Sequence, residues 1–405
     1  MPTRLHAPTL LFILLLLLIS ALLFAQSDKP YVVMLSMDGF RWDYPEKCNT
    51  PNLDRVAVNG VRAVSMQPSF PSKTFPNHYT MVTGLYPDHH GIVQNEFYDP
   101  ATGKSYRIGN RKAVEDPYFY EGEPVWVTAE KNNITSASFF WVGSEAPVEG
   151  IQPTYWKRYD QDFPFTGRID TVIHWLSLPE AQRPQLITWY MDEPDNIGHD
   201  EGPSSIKTFE MVEYLDSLLG IFLDEIAALP IAGEINVIIT SDHGMGYVSS
   251  AQTIYLKNYI ENEWFEDIQG YNPNFLFYVK DEYAEKAWYV LKDIPHTSSW
   301  RHGEVPEYLH YGTHPRTGDF ILVADSAWQV TMKDDSPGPG GAHGYDPRNT
   351  DMHAIFYAYG PAFKEGYVHP SFENIHLYSL ICHILGVVPA ENDGNLEPVK
   401  GMLRK

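Results

Sequence analysis

Three stretches of the chain are apolar at nearly every position for about the length of one strand: YVVMLSM at 31–37, QLITWYM at 185–191 and INVIITS at 235–241. Continuous rather than alternating hydrophobicity marks a strand buried on both faces, as in parallel sheets covered by helices. Each run gives way to carboxylates: Asp38 before a glycine, the segment DEPDNIGHD, and Asp242 in DHGM. The carboxyl ends of strands are where open α/β sheets place their ligands. Shorter runs at 61–66, 136–141 and 354–359 read as further strands.

The helical period appears between these runs. Val212, Leu215, Leu219, Phe222 and Ile226 recur at three- and four-residue spacing, which predicts an amphipathic helix over about 203–229. Helices are also predicted over 50–60, 124–132 and 371–385. A shorter one, 75–83, follows the proline-punctuated stretch QPSFPSK and is closed by Gly84. Alternating strands and helices imply an α/β fold with a mostly parallel central sheet flanked by helices. From 251 to 330 the texture changes to Tyr, Trp, Glu and His among short mixed patterns (275–279, 282–291, 320–324). This predicts a small inserted α+β subdomain, since the segment is too apolar for a disordered linker. Residues 26–250 and 331–405 would then form the main domain, entered again through a Pro/Gly-rich loop at 336–341.

Residues 1–25 follow another pattern. Arg4, an apolar run from Leu10 to Phe24 and Ala25 read as a secretory signal. The run falls short of the ~20 residues a spanning helix needs, so cleavage is expected over retention as an N-terminal anchor. The protein is accordingly expected to be secreted or periplasmic, meeting a membrane only through an uncleaved signal. Export permits disulfides, yet the chain has only Cys48 and Cys382. Cys382 falls in an apolar helical pattern and reads as a buried thiol; whether the two pair is left open. Asn133-Ile-Thr135 matches a glycosylation acceptor, which matters only in a eukaryotic secretory host. The formal net charge of −23 argues against a nucleic-acid polymer as partner, because polyanion binding needs a basic face. Small phosphate esters remain compatible, provided bound cations supply the positive charge.

Asp38, Asp195, His199, Asp242, His243 and His343 are six oxygen or nitrogen donors, several on loops that follow strand-like runs. Zinc accepts mixed imidazole and carboxylate sets of about four ligands. Six donors therefore seat two zinc ions if Thr74 and a solvent or substrate oxygen complete the shells. Magnesium or calcium would take fewer imidazoles. Two ions roughly 3.5–4 Å apart clamp the attacking and leaving oxygens of an in-line phosphoryl transfer. Thr74, at the start of the 75–83 helix, sits where the helix end favours an anion. Alone it would read as a helix cap; beside such ions its hydroxyl becomes a competent nucleophile.

The segments MDGFRWDY, PSFPSKTFPNHYTMVTGLYPDHHGIVQNEFYDP, DEPDNIGH, SDHGM and AHGYDPRNTDMHAIFYAYGPAF, in that order, resemble the nucleotide pyrophosphatase/phosphodiesterase family of the alkaline phosphatase superfamily. The resemblance runs from about Tyr31 to the C-terminal segment. It implies an alkaline-phosphatase-like core and a two-zinc phosphodiesterase that releases nucleoside monophosphates through a phospho-threonine at Thr74. It further implies Asp195, His199 and His343 for one zinc, and Asp38, Asp242 and His243 for the other, with Thr74 toward the second. Asn95 would donate to a non-bridging phosphoryl oxygen. Phe75, Tyr190 and Tyr159 are the aromatic candidates for holding a base. Trp141-Val142-Gly143 departs from the Trp-Pro-Gly commoner in the family. Three rivals stand beside this reading. A phosphate monoesterase would want extra cations, such as Lys157 or Arg158. A choline-type lipid-head phosphodiesterase would want an acidic aromatic cage. In a non-catalytic zinc-stabilised surface protein, Thr74 would be only a cap.

Overall fold

The computed structural model describes residues 30–334 and 337–404. The signal expected over 1–25 lies outside the described residues, as does Ser336 of the expected 336–341 loop.

In chain order the principal strands are β1 (Tyr31–Met37), β2 (Gly60–Ala63), β3 (Ser136–Phe139), β4 (Tyr155–Lys157), β5 (Leu186–Met191) and β6 (Ile235–Thr240). Then come β7 (Phe265–Tyr271), β8 (Asn274–Val279), β9 (Thr297–Arg301), β10 (Phe320–Ala324), β11 (Phe356–Tyr359) and β12 (Tyr367–His369). Eight of them form one sheet in the order β12-β2-β11-β6-β1-β5-β3-β4. Only β11 runs against its neighbours, β6 and β2; all other adjacent pairs are parallel. The strands read as continuous apolar runs take the middle of the sheet, and β1 is buried at all seven positions.

Helices α1 (Pro51–Asn59), α2 (Thr74–Thr83), α3 (Val125–Lys131), α4 (Phe165–Leu176), α5 (Asp195–Glu201), α6 (Ile206–Ala227), α7 (Ala284–Leu291) and α8 (His376–Leu385) complete the frame. Because strand side chains alternate, β1 feeds two cores. Val32 and Met34 join the cluster with residues of α2, α3 and α8. Tyr31, Val33, Leu35 and Met37 join the one with residues of α1, α4 and α6. Both faces are thus covered, as a parallel sheet requires.

Two helix starts move by three residues or more from the sequence expectation. The long helix α6 starts three residues later than the pattern suggested, because Ser205 caps it by accepting from the Thr208 N–H. Helix α8 starts at His376 rather than about 371, since Phe372–Glu373 pairs with Met66–Gln67 as a short strand. Helix α4 has no counterpart in the sequence reading: Gly167 and Arg168 interrupt its apolar stripe. Arg168 is nevertheless fully buried. It makes an ion pair with Asp192 at 2.9 Å, donates to the carbonyls of Phe163 and Tyr190, and lies over the rings of Phe140 and Phe165.

Within 251–330, an antiparallel sheet in the order β7-β8-β10-β9 packs against α7. Its apolar cluster includes Trp264, Phe277, Leu291 and Leu322, and extends to Ala342, Tyr345 and Met352 beyond the segment. Both cysteines are free thiols, Cys382 buried on α8 and Cys48 half-buried. Asn133 is exposed just after α3, in a left-handed backbone conformation (φ 58°). Among the described residues no helix is long and apolar enough to cross a membrane.

Replacing Arg168 with Ala strands Asp192 and empties the slot between two phenyl rings. Removing one partner of a buried ion pair costs about 3–5 kcal/mol. Urea titration of Arg168→Ala should give a correspondingly lower midpoint; a loss under about 1 kcal/mol, the range of an exposed pair, would contradict this role.

Candidate metal centre

The carboxyl ends of β1, β5 and β6 bring the chemistry together. Asp38 directly follows β1, Asp242 lies two residues beyond β6, and Asp195 opens α5 shortly after β5. The β1 loop and α5 approach so closely that a Cβ on Gly39 would lie 2.9 Å from the Asp195 Cα; Gly39 also has φ +68°. Glycine is needed there on both counts. His199 lies one turn along α5 from Asp195. His343 directly follows the strand segment Gly340–Ala342, which pairs with Gly246–Val248.

The orientation of the three imidazoles is set by main-chain carbonyls. Nδ1 of His199, His243 and His343 lies 2.8 Å from the carbonyl oxygens of Gly341, Gly244 and Ser72, respectively. A carbonyl can only accept, so each Nδ1 carries a hydrogen, and in the neutral ring each Nε2 presents a lone pair. Those lone pairs face carboxylates. Nε2 of His243 is 3.0 Å from Asp242 Oδ2 and 3.5 Å from Asp38 Oδ1. Nε2 of His199 is 3.5 Å from Asp195 Oδ2, and that of His343 is 3.7 Å from Asp195 Oδ1. Asp38 Oδ1, Asp195 Oδ1 and Asp242 Oδ2 are buried without a hydrogen-bond partner.

Lone pair facing anion is repulsive unless a cation lies between. Tetrahedral ligands on bonds of about 2.0–2.2 Å stand roughly 3.3 Å apart, close to the spacings found. The donor atoms of Asp195, His199 and His343 lie within 4.8 Å of one another, as do those of Asp38, Asp195 and His243. The donor chemistry, the lone pairs with no donor facing them and the spacing all fit metal ions. A third grouping, Asp38, His78 and Asp242, fits less well. Both His78 nitrogens are engaged, Nε2 with Ser36 Oγ at 2.9 Å and Nδ1 with the Thr74 carbonyl at 2.9 Å.

The electrostatics of the cluster carry the same strain. Burial, then the charges of Asp242 and Asp195, hold the Asp38 carboxyl well above its usual range. Burial pushes Asp242 upward too, but the facing His243 and His78 outweigh it and its carboxyl is depressed. Burial pulls His243 down while Asp242 lifts it further, leaving it raised. His343 is driven well down by burial and by the neighbouring His243 and Lys73, so it is a neutral imidazole. The His243 and His343 rings stack at 3.6 Å.

Thr74 opens α2, one residue earlier than the sequence pattern suggested, and its Oγ1 lies 3.4 Å from His243 Nε2. Asn95 is buried; its Oδ1 accepts from the Phe75 N–H at 3.0 Å. Phe75, Tyr159 and Tyr190 all line a cavity of about 300 Å³ that reaches Asp38, Thr74 and Asp195. Tyr190 donates its hydroxyl to Asp38 Oδ2 at 2.6 Å, so its ring alone is left for a ligand. Lys157 and Arg158 are exposed and outside the cavity lining; Arg158 pairs with Glu115 at 2.8 Å.

Several neighbours escaped the sequence reading. Lys73 is buried beside Thr74, and burial pulls its ammonium down to about 7. Its place next to Thr74 was a signal. Arg111 and Glu145 line the cavity as an ion pair, and Trp141 donates to the His78 carbonyl at 3.0 Å. Tyr271, from β7, bonds Asn95 at 2.7 Å. Nothing in the sequence set it apart from 25 other tyrosines.

A profile of the type I phosphodiesterase / nucleotide pyrophosphatase family matches residues 32–346. Ectonucleotide pyrophosphatase/phosphodiesterase family member 3 of Rattus norvegicus is 34% identical over 388 residues, covering 93% of this chain and 44% of the relative. Venom phosphodiesterase CdcPDE of Crotalus durissus collilineatus is 35% identical over 384 residues, covering 92% and 46%. The chain thus spans less than half the length of these curated relatives. Among solved structures, murine ectonucleotide pyrophosphatase/phosphodiesterase 5, an inactive threonine-to-alanine form in complex with AMP, superposes with a TM-score of 0.89 at 31% identity. That match covers 93% of this chain and all of the other.

The lone pair on His243 Nε2 is where a proton and a metal ion compete. Its raised pKa means the proton wins as pH falls through a value above the ordinary ~6.5. In the metal-free protein, the stability from protonated His243 against Asp242 is present at low pH and lost as pH rises through that value. The thermal stabilisation given by added zinc, relative to chelator, should therefore grow as pH rises from 5 to about 8. A shift of equal size at all pH values would contradict this competition.

Proposed function

The chain belongs to the type I phosphodiesterase / nucleotide pyrophosphatase family, and on that premise we propose that it hydrolyses nucleotide phosphodiester and pyrophosphate bonds through a phospho-threonine at Thr74. The observation that carries this reading is the set of unpartnered carboxylate oxygens and imidazole lone pairs gathered beside the Thr74 hydroxyl.

Two zinc ions fit the donors: Asp195, His199 and His343 would hold one, and Asp38, Asp242 and His243 the other, with Thr74 beside the second. When bound, such cations lower the proton affinity of a neighbouring hydroxyl and offset charge on a phosphoryl group. The three aspartates carry one negative charge fewer than a pair of divalent ions brings, which suits a singly charged diester better than a doubly charged monoester. Thr74 Oγ1 gives up its proton to solvent and attacks phosphorus; the bond to the leaving oxygen breaks, and the leaving group departs, its oxygen taking a proton from solvent where its basicity requires one. Water then cleaves the Thr74–phosphate bond, returning the hydroxyl and releasing a nucleoside monophosphate. Asn95 would present an Nδ2 hydrogen to a non-bridging oxygen, where charge grows as phosphorus is attacked.

The cavity beside Thr74 would take the nucleoside, with Phe75 and Tyr159 as aromatic walls and the Tyr190 ring behind them. AMP, the ligand of the murine relative, has the base and single phosphate such a site would hold. A choline cage is less favoured, since the acidic groups of the cavity wall other than the metal donors Asp38 and Asp195 are matched: Glu145 by Arg111, Asp192 by Arg168. A monoesterase is less favoured because Lys157 and Arg158 lie away from the cavity. The leader pattern at 1–25 and the names of ectoenzyme and venom relatives support action outside the cytoplasm, secreted or periplasmic. The segment 251–330 belongs to this reading as an inserted subdomain, supported by its separate sheet.

Thr74→Ala should lower turnover of bis-p-nitrophenyl phosphate by at least about a thousandfold, the scale set by loss of a nucleophile; unchanged turnover rejects the role. In a side-by-side comparison, a dinucleotide or ATP should outpace a phosphocholine ester and a simple monoester; a dominant monoester rate overturns the ranking. Base stacking is worth about 1–3 kcal/mol per base. Phe75→Ala and Tyr159→Ala should therefore raise KM for a dinucleotide by about 5- to 150-fold, while leaving bis-p-nitrophenyl phosphate much less affected.

A further inference from the structure

The turn joining β7 and β8 is the tip of the 251–330 segment, and it is wedged into the candidate active site rather than projecting into solvent. The Asn272 carbonyl accepts from Lys73 Nζ at 2.7 Å, and the Lys73 ammonium sits 4.1 Å from the centre of the Tyr271 ring. Asn274 Nδ2 donates to the Gly344 carbonyl at 2.6 Å, one residue from His343. The contact is tight: a Cβ on Gly344 would lie 2.5 Å from Asn274 Oδ1 and 2.6 Å from Lys73 Cε, and Gly344 has φ +114°. One short turn therefore touches the residue before Thr74, the residue after His343, and Asn95.

The contact with Asn95 is the informative one. The Phe75 N–H is a donor only, so the atom it meets must be Asn95 Oδ1, which fixes the amide orientation. The amide nitrogen then faces the Tyr271 hydroxyl at 2.7 Å and donates to it. Asn95 is held at both ends, and one of its two Nδ2 hydrogens is engaged. The other remains to be given. Tyr271 as a whole is 36% exposed, while its hydroxyl meets the buried Asn95 amide. Burial of the hydroxyl end keeps the phenol far above its ordinary pKa, so it stays a neutral acceptor for the amide.

We propose that Tyr271 is a positioning residue for phosphoryl transfer: its hydroxyl pins the Asn95 side chain so that the free Nδ2 hydrogen points at the charge developing on phosphorus. The inserted segment thereby supplies part of the active site. This rests on the diesterase reading above. An amide tethered only through Oδ1 could swing about its last torsion and hydrate. Tethered at both ends, it needs no reorganisation as charge develops, which is where an oxyanion donor acts.

The test is Tyr271→Phe in the zinc-loaded protein, which deletes one oxygen and keeps the ring against Lys73. With bis-p-nitrophenyl phosphate, kcat should fall about 10- to 100-fold, within reach of the loss seen for a missing oxyanion donor, while KM changes less than about twofold. Zinc content and melting temperature should match the unmodified protein. Asn95→Ala should lose at least as much, and the double variant should be no slower than Asn95→Ala alone, since the hydroxyl acts through the amide. Multiplicative losses in the double variant, or a Tyr271→Phe rate equal to the parent, overturn the proposal while leaving the diesterase reading intact. A parent protein with no diesterase turnover overturns both.

Discussion

Repulsion is the constraint that organises this molecule. Three carboxylate oxygens are buried with nothing donating to them, and imidazole lone pairs face them at 3.0–3.7 Å. Left to themselves these groups would separate or take up protons. They are held together because each sits close to the end of an element that cannot move independently: β1, β5 and β6 are adjacent and mutually parallel in one sheet, sealed by two apolar cores. The fold supplies the rigidity, and the strain it maintains is what makes the pocket hungry for cations. A cluster of this kind favours a divalent ion over protons increasingly as pH rises, which ties metal occupancy to the surroundings in which the protein works.

Much of this was legible in the sequence. Strands buried on both faces announce themselves as unbroken apolar runs, and the carboxylates at their ends stand out for that reason. The α6 helix showed as a clean stripe. What the sequence hid follows a physical pattern as well. Helix α4 was missed because Arg168 occupies an inward position; a guanidinium reads as surface until one sees Asp192, two carbonyls and two phenyl rings around it. The two start shifts came from local competition: a serine cap for α6, and a two-residue strand ahead of α8. Tyr271 was invisible because its partner is 176 residues away and it lies in no motif. Contacts made across such a separation leave no periodic trace.

The charged residues around the cavity beside Thr74 are arranged with equal economy. A chain of net charge −23 has few cations near the site, and those are engaged: Arg111 with Glu145, Arg168 with Asp192, Lys73 with a carbonyl and a ring. Little positive charge from the protein is therefore left over for a ligand. On the proposed reading, an anion would be held by metal ions and by neutral donors such as Asn95, with the weight of recognition on shape and ring faces rather than on salt links.

One further feature bears on how such a site persists. The groups that aim His199, His243 and His343 are carbonyls of Gly341, Gly244 and Ser72, all belonging to the main chain. Amino-acid replacement can delete a carboxylate or an amide side chain, but no codon change removes a peptide oxygen. The aim of these rings is thus insulated from substitution at the supporting positions, so long as the backbone path survives. Drift among distant descendants could rewrite much of the surrounding surface before the three nitrogens lost their bearing.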